Sequence, residues 1–355
     1  KKQMDELHVF FFFFLVSFFL YRIPLVEYTN TDQGFNFPGH SFTMSSPQRL
    51  RNKVAIVTGA SRGIGKGIAT ELALAGACVY ITGRTKVSSK TSPGSLDDAA
   101  NEINAMVRES KGSGRCEGLL CDHSDDEQTK AVFARVAQAH GGRLDILVNN
   151  AYAAVTAIME TGDKKFWEKP LRSWDLSHNV GLRSHFVCSV LATKLMIAHK
   201  VENQVIVNIS SFGGLEYAWF ANDIPYGVGK CALDRLSADM AYELLPHKIA
   251  CISLWPGAVK TELVDMYVGT ENSGFANGES TRFAGRTIAA LSTDKKLLSR
   301  TGKVILTSQL AEELGFTDVD GTIPASHMPT VDRLRGRMKI APNHWVLNAP
   351  LLSKY

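Results

Sequence analysis

The segment VAIVTGASRGIG, residues 54–65, joins a short β-branched run to the start of a helical pattern through three glycines. Directly after a strand and directly before a helix, this spacing predicts a phosphate-binding turn rather than a plain glycine-rich loop. Gly59 would permit the tight turn, Gly63 would let the backbone approach a pyrophosphate, and Gly65 would allow close helix–sheet packing. The N–H groups at the helix start would face the anion. We therefore predict a dinucleotide-binding turn formed by Thr58, Gly59, Ser61, Arg62, Gly63, Ile64 and Gly65.

The same strand-then-helix pattern repeats along the rest of the chain. Strands that alternate with helices favour a parallel sheet covered on both faces, with right-handed crossovers. We predict an α/β fold: a single doubly wound Rossmann-type domain over residues 50–322, with a seven-stranded parallel sheet. The predicted strands are 54–58, 78–82, 116–121, 144–149, 204–210, 249–255 and 303–307. The predicted helices are 64–75, 96–110, 125–139, 174–199, 227–245 and 282–293.

Charge and cysteine usage exclude some classes of function. A net charge of +4 over 355 residues, without a basic cluster, gives no support for nucleic-acid binding. The six cysteines form no CxxC pair, and most lie in apolar runs. We expect buried free thiols in a reducing compartment, and no metal site.

The first 43 residues do not fit the domain pattern. Residues 9–20 are apolar, but the run is too short for a comfortable transmembrane helix, which needs about 20 residues. It matches a signal-peptide core or a short signal anchor. The alternative is a disordered leader or translated untranslated sequence, because residues 10–14 are all Phe and Met44 lies ten residues before the first strand.

Residues 323–355 extend beyond the last predicted strand. Basic residues over 333–339 are followed by an apolar segment that contains Trp345. This pattern suits a peripheral contact with a membrane surface, where the arginines meet anionic head groups and the tryptophan lies at the interface. The alternative is a tail that packs over the substrate cleft or at a subunit interface.

The end of the second strand indicates which dinucleotide the turn would hold. An enzyme that uses NAD places Asp or Glu there to bind the ribose 2′-hydroxyl, whereas this chain has Arg84 and no acid nearby. Arg84 and Arg62 could clamp a 2′-phosphate, and the alternative is a pair of solvated arginines. We therefore predict NADP(H) as cofactor. Asp122, after the third strand, would bond the adenine amino group or cap the next helix.

A tyrosine and a lysine four residues apart form the candidate catalytic pair. On a helix Tyr226 and Lys230 share a face, and an ammonium beside a phenol lowers the phenol pKa. The spacing alone is common. It gains weight from Ser211 at the end of the fifth strand, Asn179 in the long helix and Asn149 at the end of the fourth strand.

Taken together, these motifs resemble the short-chain dehydrogenase/reductase family, in the family's order, from about residue 53 to 315. One departure is Tyr152, which stands where the family motif NNAG has glycine. The motifs are TGASRGIG (58–65), NNAY (149–152), NVG (179–181), NISS (208–211), YGVGK (226–230) and WPGAVKTEL (255–263).

The resemblance implies a role for each matching residue. Tyr226 would protonate the carbonyl oxygen during hydride transfer, and Ser211 would polarise the same oxygen. Lys230 would lower the Tyr226 pKa and hold the nicotinamide ribose, and Asn179 would anchor a water that links Lys230 to solvent. Asn149 would stabilise the central strands and line the cofactor cleft. The turn against the nicotinamide would use Pro256, Gly257, Val259 and Thr261.

Aromatic residues suggest the substrate class. Tyr152, Trp219 and Phe220 would form a pocket wall, although core packing of the aromatics is the alternative. We expect a carbonyl reductase for apolar ketones or aldehydes. A 3-oxoacyl thioester reductase uses the same catalytic residues and stays open, as does a cofactor-binding pseudoenzyme scaffold.

The segments NNAY, LWPG and DVDG (318–321) resemble one branch of the family. That branch implies NADP(H) use, reduction of steroid or xenobiotic carbonyls, and either a location on the cytosolic face of the endoplasmic reticulum membrane or a cytoplasmic one. A homo-oligomer is also an expectation.

Overall fold

The structure is a computed structural model that describes residues 48–87, 94–162, 164–215, 223–269 and 275–324, all within the unit Ser41–Tyr355. Three predicted features lie outside the described residues. They are the leader 1–43, the C-terminal extension beyond residue 324, and the pocket residues Trp219 and Phe220.

Seven parallel strands form one sheet in the order β3-β2-β1-β4-β5-β6-β7. The predicted fold class is confirmed, and every strand end lies within two residues of its predicted place. The order reverses between β1 and β4, so a crevice opens at the carboxyl ends of these two strands. The strands are β1 (Val54–Val57), β2 (Cys78–Gly83), β3 (Arg115–Leu120), β4 (Ile146–Asn149), β5 (Val205–Ile209), β6 (Ala250–Trp255) and β7 (Val304–Leu306).

Helices cover both faces of the sheet. The sequence did not predict α4, α8 and α10, because each is short and its pattern resembles that of a loop. The helices are α1 (Gly63–Leu74), α2 (Leu96–Glu109), α3 (Asp126–Ala139), α4 (Val155–Thr161), α5 (Arg172–His178), α6 (Ser184–Ala198), α7 (Ile224–Leu244), α8 (Glu262–Val268), α9 (Phe283–Leu291) and α10 (Thr307–Leu314).

The single helix predicted over 174–199 is wrong, because a π-helical turn, Asn179–Arg183, separates α5 from α6. Val180 has non-helical angles (φ −117°, ψ 94°), and Gly181 has φ 145°. Apolar periodicity continues through the break, which explains why the sequence pattern did not reveal it.

Within the described residues, the run Arg172–Ala198 has the length and composition to cross a membrane. Its side chains Cys188, Ala192 and Met196 pack in the core, so we interpret it as a core element.

The strands alternate their side chains between two cores. Ala55 and Val57 of β1 pack with Ile68 and Leu72 of α1 on one face of the sheet. Ile56 packs on the other face, with residues of α3 and α6. Because neighbouring strand residues point to opposite faces, each central strand is buried on both sides.

The turn after β1 contacts the end of β4 closely. Gly59 has φ 63°, and a Cβ placed there would lie 2.6 Å from Ala151 Cα. The Ala151 N–H donates to Thr58 Oγ1 (3.0 Å), which locks the two strand ends together. Only glycine fits a left-handed position with a backbone this near. The turn is thereby held at the crevice.

Candidate active site

A cavity of about 570 Å³ opens at the carboxyl ends of the central strands. Its walls come from the glycine turn, the end of β5, the start of α7, the turn after β6, and α8. It brings together the predicted residues Gly59, Arg62, Gly63, Ile64, Gly65, Tyr152, Ser211, Tyr226, Lys230, Pro256, Gly257, Val259 and Thr261.

Ser211 and Tyr226 form a hydrogen-bonded pair at this cavity. Ser211 lies two residues after the end of β5, and its Oγ accepts the N–H of Gly213 (3.1 Å). Tyr226 lies in the first turn of α7, and its side chain bonds to that of Ser211. Burial raises the pKa of Tyr226 to about 12, although the bond to Ser211 opposes the shift. A protonated phenol at this position can donate a proton to a bound oxygen.

Lys230 lies one helical turn beyond the tyrosine and is buried. Its Nζ lies 5.7 Å from the centroid of the Tyr226 ring and donates to Ile209 O (2.8 Å). Burial lowers the pKa of Lys230 to about 8, against the effect of Asp234. We expected the lysine to lower the pKa of Tyr226. In the structure burial outweighs any such effect, so the phenol pKa is raised instead.

Asp234, which the sequence analysis missed, lies a further turn along α7 behind Lys230. It accepts hydrogen bonds from Ser253 Oγ (2.6 Å) and Trp255 Nε1 (3.0 Å) of β6. Burial raises the pKa of Asp234 to about 6. The spacing of four residues from Lys230 could have indicated this carboxylate, because such residues share a helix face.

Of the two asparagines at the end of β4, the second lines the cleft. Asn149 is fully buried, and its Nδ2 donates to Asn208 Oδ1 (2.8 Å) and Ser189 Oγ (3.0 Å), so it links β4 to β5 and α6. The prediction that it also lines the cofactor cleft is wrong. Asn150 does so, and its Nδ2 donates to Gly59 O (2.9 Å). Successive strand residues point to opposite faces, which decides between the two.

Asn179 does not reach the cavity that holds Lys230. It is exposed, at the start of the π-helical turn, and with Arg183, Asp125 and Asp126 it lines a separate surface depression. Asn179 and Lys230 therefore line two separate depressions. The water link between them stays a prediction.

The helix start that would receive a phosphate already binds a carboxylate. The N–H of Gly63, the first residue of α1, donates to Glu262 Oε2 (2.9 Å). No side chain of α1 caps this end, and Arg62 stands beside it in the cavity wall. Glu262, which the sequence analysis missed, therefore stands where the glycine pattern predicts a pyrophosphate oxygen. Its position demonstrates that the turn can hold an anion.

The predicted adenine end lies outside the cavity. The N–H of Ala60 donates to Thr82 O (2.9 Å), so the end of β2, where Arg84 is exposed, adjoins the glycine turn. Asp122 Oδ1 accepts from Ser124 N (2.9 Å) and Oγ (2.8 Å). The cap of α3 is Asp125, so the alternative that assigned capping to Asp122 is wrong. Ser61 and Thr58 are not among the lining residues of the cavity, and Thr58 Oγ1 donates to Val148 O (3.4 Å).

A buried carboxyl holds the turn after β6. The N–H of Gly257 donates to Glu279 Oε1 (2.8 Å), and Thr307 Oγ1 donates to the same oxygen. Among the described residues Glu279 Oε2 has no hydrogen-bond partner. Burial raises the pKa of Glu279 to about 7. Thr261 caps α8 by accepting from Val264 N (3.2 Å). No local sequence pattern pointed to Glu279, because it lies in a segment rich in small polar residues.

Much of the remaining cavity lining is apolar. Tyr152 stands beside the catalytic pair, and other apolar lining residues come from α4, α8 and the segment that follows α8. These residues are Val155, Met159, Leu263, Val264 and Phe275, which the sequence analysis did not assign.

The sequence model of the short chain dehydrogenase family matches residues 53–272. The chain belongs to this family. Its members are oxidoreductases that bind a nicotinamide cofactor, and the family resemblance carried by the motifs is confirmed.

Two kinds of relative illustrate the range of this short-chain dehydrogenase family. "Dehydrogenase/reductase SDR family member 1" from Homo sapiens is 43% identical over 289 residues, which cover 78% of this chain and 86% of the relative. This likeness agrees with the NNAY, LWPG and DVDG segments. "Hydroxysteroid dehydrogenase-like protein 2" from Danio rerio is 31% identical over 276 residues, 77% of this chain and 61% of that one.

A solved structure extends the comparison. A short chain dehydrogenase from Burkholderia cenocepacia J2315, in complex with NADP, is 26% identical to this chain with a TM-score of 0.58. The match covers 73% of this chain and 97% of that one. The observed fold is therefore the fold of solved short-chain dehydrogenases.

Proposed function

We propose that this short-chain dehydrogenase is an NADPH-dependent carbonyl reductase that acts on apolar ketones or aldehydes, of the steroid or xenobiotic kind. One observation carries the proposal. Ser211, Tyr226 and Lys230 meet in a single cavity that the glycine turn helps to line and whose lining is mostly apolar. A polar reacting end and an apolar wall suit a bulky carbonyl compound.

The residues present fit a nicotinamide dinucleotide. The glycine turn and the start of α1 would hold the pyrophosphate, as the bond from Gly63 N to Glu262 indicates. The turn at Pro256 and Gly257 would adjoin the nicotinamide, and Lys230 would contact its ribose. When bound, the reduced nicotinamide supplies the hydride.

The catalytic residues would act on the carbonyl oxygen. Ser211 would donate a hydrogen bond to that oxygen and polarise the carbonyl. Tyr226 would transfer its phenolic proton to the same oxygen as charge develops there, which its raised pKa permits. Lys230 would supply positive charge below its pKa of about 8 and so stabilise the phenolate that remains.

The preference for NADPH rests on arginines at the end of the cofactor site. Arg84 follows β2, where an enzyme that uses NAD would have an acid, and Arg62 lies in the turn. Two guanidinium groups favour a 2′-phosphate. The Burkholderia cenocepacia relative was solved with NADP, which supports the same choice.

The test is an NADPH-oxidation assay over a panel of apolar ketones, aldehydes and 3-oxoacyl thioesters. We expect turnover with the apolar carbonyls and little with the thioesters. Preferential turnover of the thioesters would establish the alternative reductase. Tight NADPH binding without turnover of any panel member would favour the pseudoenzyme scaffold.

The chain's location and assembly are further proposals, supported by the family resemblance and by the basic and apolar C-terminal segment. We propose association with the cytosolic face of the endoplasmic reticulum membrane through that segment, and a homo-oligomer. Fractionation of cells that express the chain with and without residues 331–355 tests the membrane contact. Equal partition of both forms into the soluble fraction would contradict it.

A further inference from the structure

Tyr152 stands where the family has a glycine after NNA. The tyrosine side chain inserts beside the catalytic pair. The Tyr152 ring meets the Tyr226 ring edge to face, with centroids 5.8 Å apart and an interplanar angle of 80°. The Lys230 Nζ lies 5.1 Å from the Tyr152 centroid. The Tyr152 hydroxyl donates to Ser177 Oγ (3.0 Å) of α5, and Ser177 is buried.

The break between α5 and α6 makes room for this ring. A Cβ at Gly181 would lie 2.5 Å from Tyr152 Cδ2, so no other residue type fits there without displacement of the ring. Gly181 also has φ 145°, which L side chains rarely adopt. The N–H of Ala153 donates to Val180 O (3.2 Å), which ties the end of β4 to the same break. The glycine in the π-helical turn therefore leaves the space that the Tyr152 ring occupies.

The groups that face the Lys230 ammonium come from four parts of the fold. Tyr226 and Asp234 lie on its own helix. His185 of α6 acts on it at longer range, and burial lowers the pKa of His185 to about 3, so this imidazole is neutral. Ile209 O, at the end of β5, accepts the hydrogen bond of the ammonium (2.8 Å), and Tyr152, which follows β4, lies on a further side. Two aromatic rings thus flank the lysine, and the predicted partner Asn179 is absent from the same wall.

We propose that Tyr152 is a positioning residue that, with Tyr226, encloses the Lys230 ammonium between two aromatic rings. The inference rests on the proposed function in so far as Lys230 serves carbonyl reduction. The ring face would attract the cation, and its bulk would exclude water from the ammonium. The bond to Ser177 would fix the ring, because Tyr152 is a protonated phenol whose pKa burial raises well above the ordinary value.

Two substitutions separate the ring from its hydroxyl. Tyr152→Phe keeps the aromatic face and loses the bond to Ser177. Tyr152→Leu keeps an apolar side chain over the ammonium and loses the aromatic face. The charged form of Lys230 should then be less favoured in the leucine variant, since burial persists without the attraction of the ring.

The first measurement needs no substrate. The full chain would be labelled with ¹³Cε-lysine, the Lys230 signal assigned with Lys230→Met, and its titration followed by NMR. We expect Tyr152→Leu to lower the titration midpoint of Lys230 by about half a pH unit or more. Tyr152→Phe should titrate close to the wild-type midpoint. An unshifted midpoint in Tyr152→Leu, or an equal shift in Tyr152→Phe, would overturn the role of the ring.

The second measurement uses the reaction. In carbonyl reduction Tyr152→Leu should lower kcat more than it raises KM, and the alkaline limb of the kcat profile should move to lower pH by the same amount. A loss confined to KM would assign Tyr152 to the substrate wall only, and so overturn the positioning role. If the wild type reduces no carbonyl but the NMR shift is observed, the proposed function fails while the enclosure of Lys230 stands.

Discussion

Lys169 Nζ lies 2.7 Å from Asp223 Oδ2 in a buried ion pair, with side chains only 4% and 1% exposed. The other oxygen of the same carboxylate, Asp223 Oδ1, accepts the N–H of Tyr226 (2.9 Å) and so caps α7. The segment between α4 and α5 is thereby tied to the first turn of the helix that carries the catalytic tyrosine. This link fixes where α7 begins relative to the cavity.

Lys169→Met should therefore reduce both stability and activity. It leaves the Asp223 carboxylate buried without its cation, which typically destabilises a protein by about 3–5 kcal/mol. We expect that loss in urea unfolding, with a fall in kcat. Lys169→Met/Asp223→Asn should recover part of both, because asparagine still caps a helix and carries no charge. A double variant less stable than Lys169→Met would contradict this account.

Tyr226→Phe should abolish most activity while the cofactor still binds. A positioned proton donor contributes about 10²–10⁴-fold to the rate, so kcat should fall by at least that factor. NADPH affinity, measured by fluorescence titration, should change little, since the ring remains. Near-normal turnover in this variant would exclude Tyr226 as the acid.

Arg84→Asp should shift the cofactor preference. The substitution removes a guanidinium that favours the 2′-phosphate and supplies the carboxylate that an enzyme specific for NAD uses. We expect kcat/KM with NADPH to fall and that with NADH to rise. Equal kcat/KM values for the two cofactors in the wild type would already contradict the assignment.

Glu262→Gln should tighten NADPH binding. The Glu262 carboxylate accepts from Gly63 N and competes with a phosphate for the start of α1. Removing its charge should lower the Kd for NADPH by a factor of about two to ten, on the scale of a single charge near a helix end. Asp265→Asn, an exposed residue of the same helix outside the cavity wall, is the matched control. Calorimetry that finds the same tightening in both variants would point to net charge alone.

Glu279→Gln should change how stability depends on pH. Burial raises the pKa of Glu279 from its usual 4.5 to about 7, with a further rise from Asp318. The folded state then holds its proton more tightly than the unfolded state. Stability should fall as pH rises from about 4.5 to 7, by on the order of 3 kcal/mol, and the loss persists above that range.

The glutamine variant lacks the titrating carboxyl and so lacks this loss of stability with rising pH. Its free energy of unfolding relative to wild type should therefore be greater at pH 8 than at pH 4.5. Glu312→Gln, at an exposed position of α10, is the control and should show no such difference. A constant difference between Glu279→Gln and wild type across this range would mean that Glu279 titrates normally.

Local sequence was sufficient for the fold and for part of the site. Seven β-branched runs in alternation with helices predicted the sheet, because secondary-structure periodicity is a local property. Motif order brought Ser211, Tyr226 and Lys230 together correctly, since Ser211 lies near the end of β5, and Tyr226 and Lys230 lie one turn apart in α7. The helix over 174–199 was wrong because the break at Gly181 leaves the apolar pattern intact.

Patterns within short segments of the chain predict the parallel sheet, the glycine turn after β1 and the Ser–Tyr–Lys set. The folded domain, by contrast, shows that Asn150 rather than Asn149 lines the cleft, that Tyr152 flanks Lys230, and that Lys169 pairs with Asp223. These relationships join residues far apart in the chain. They depend on strand register and on side-chain direction, which periodicity does not specify, so packing of the whole domain settles them.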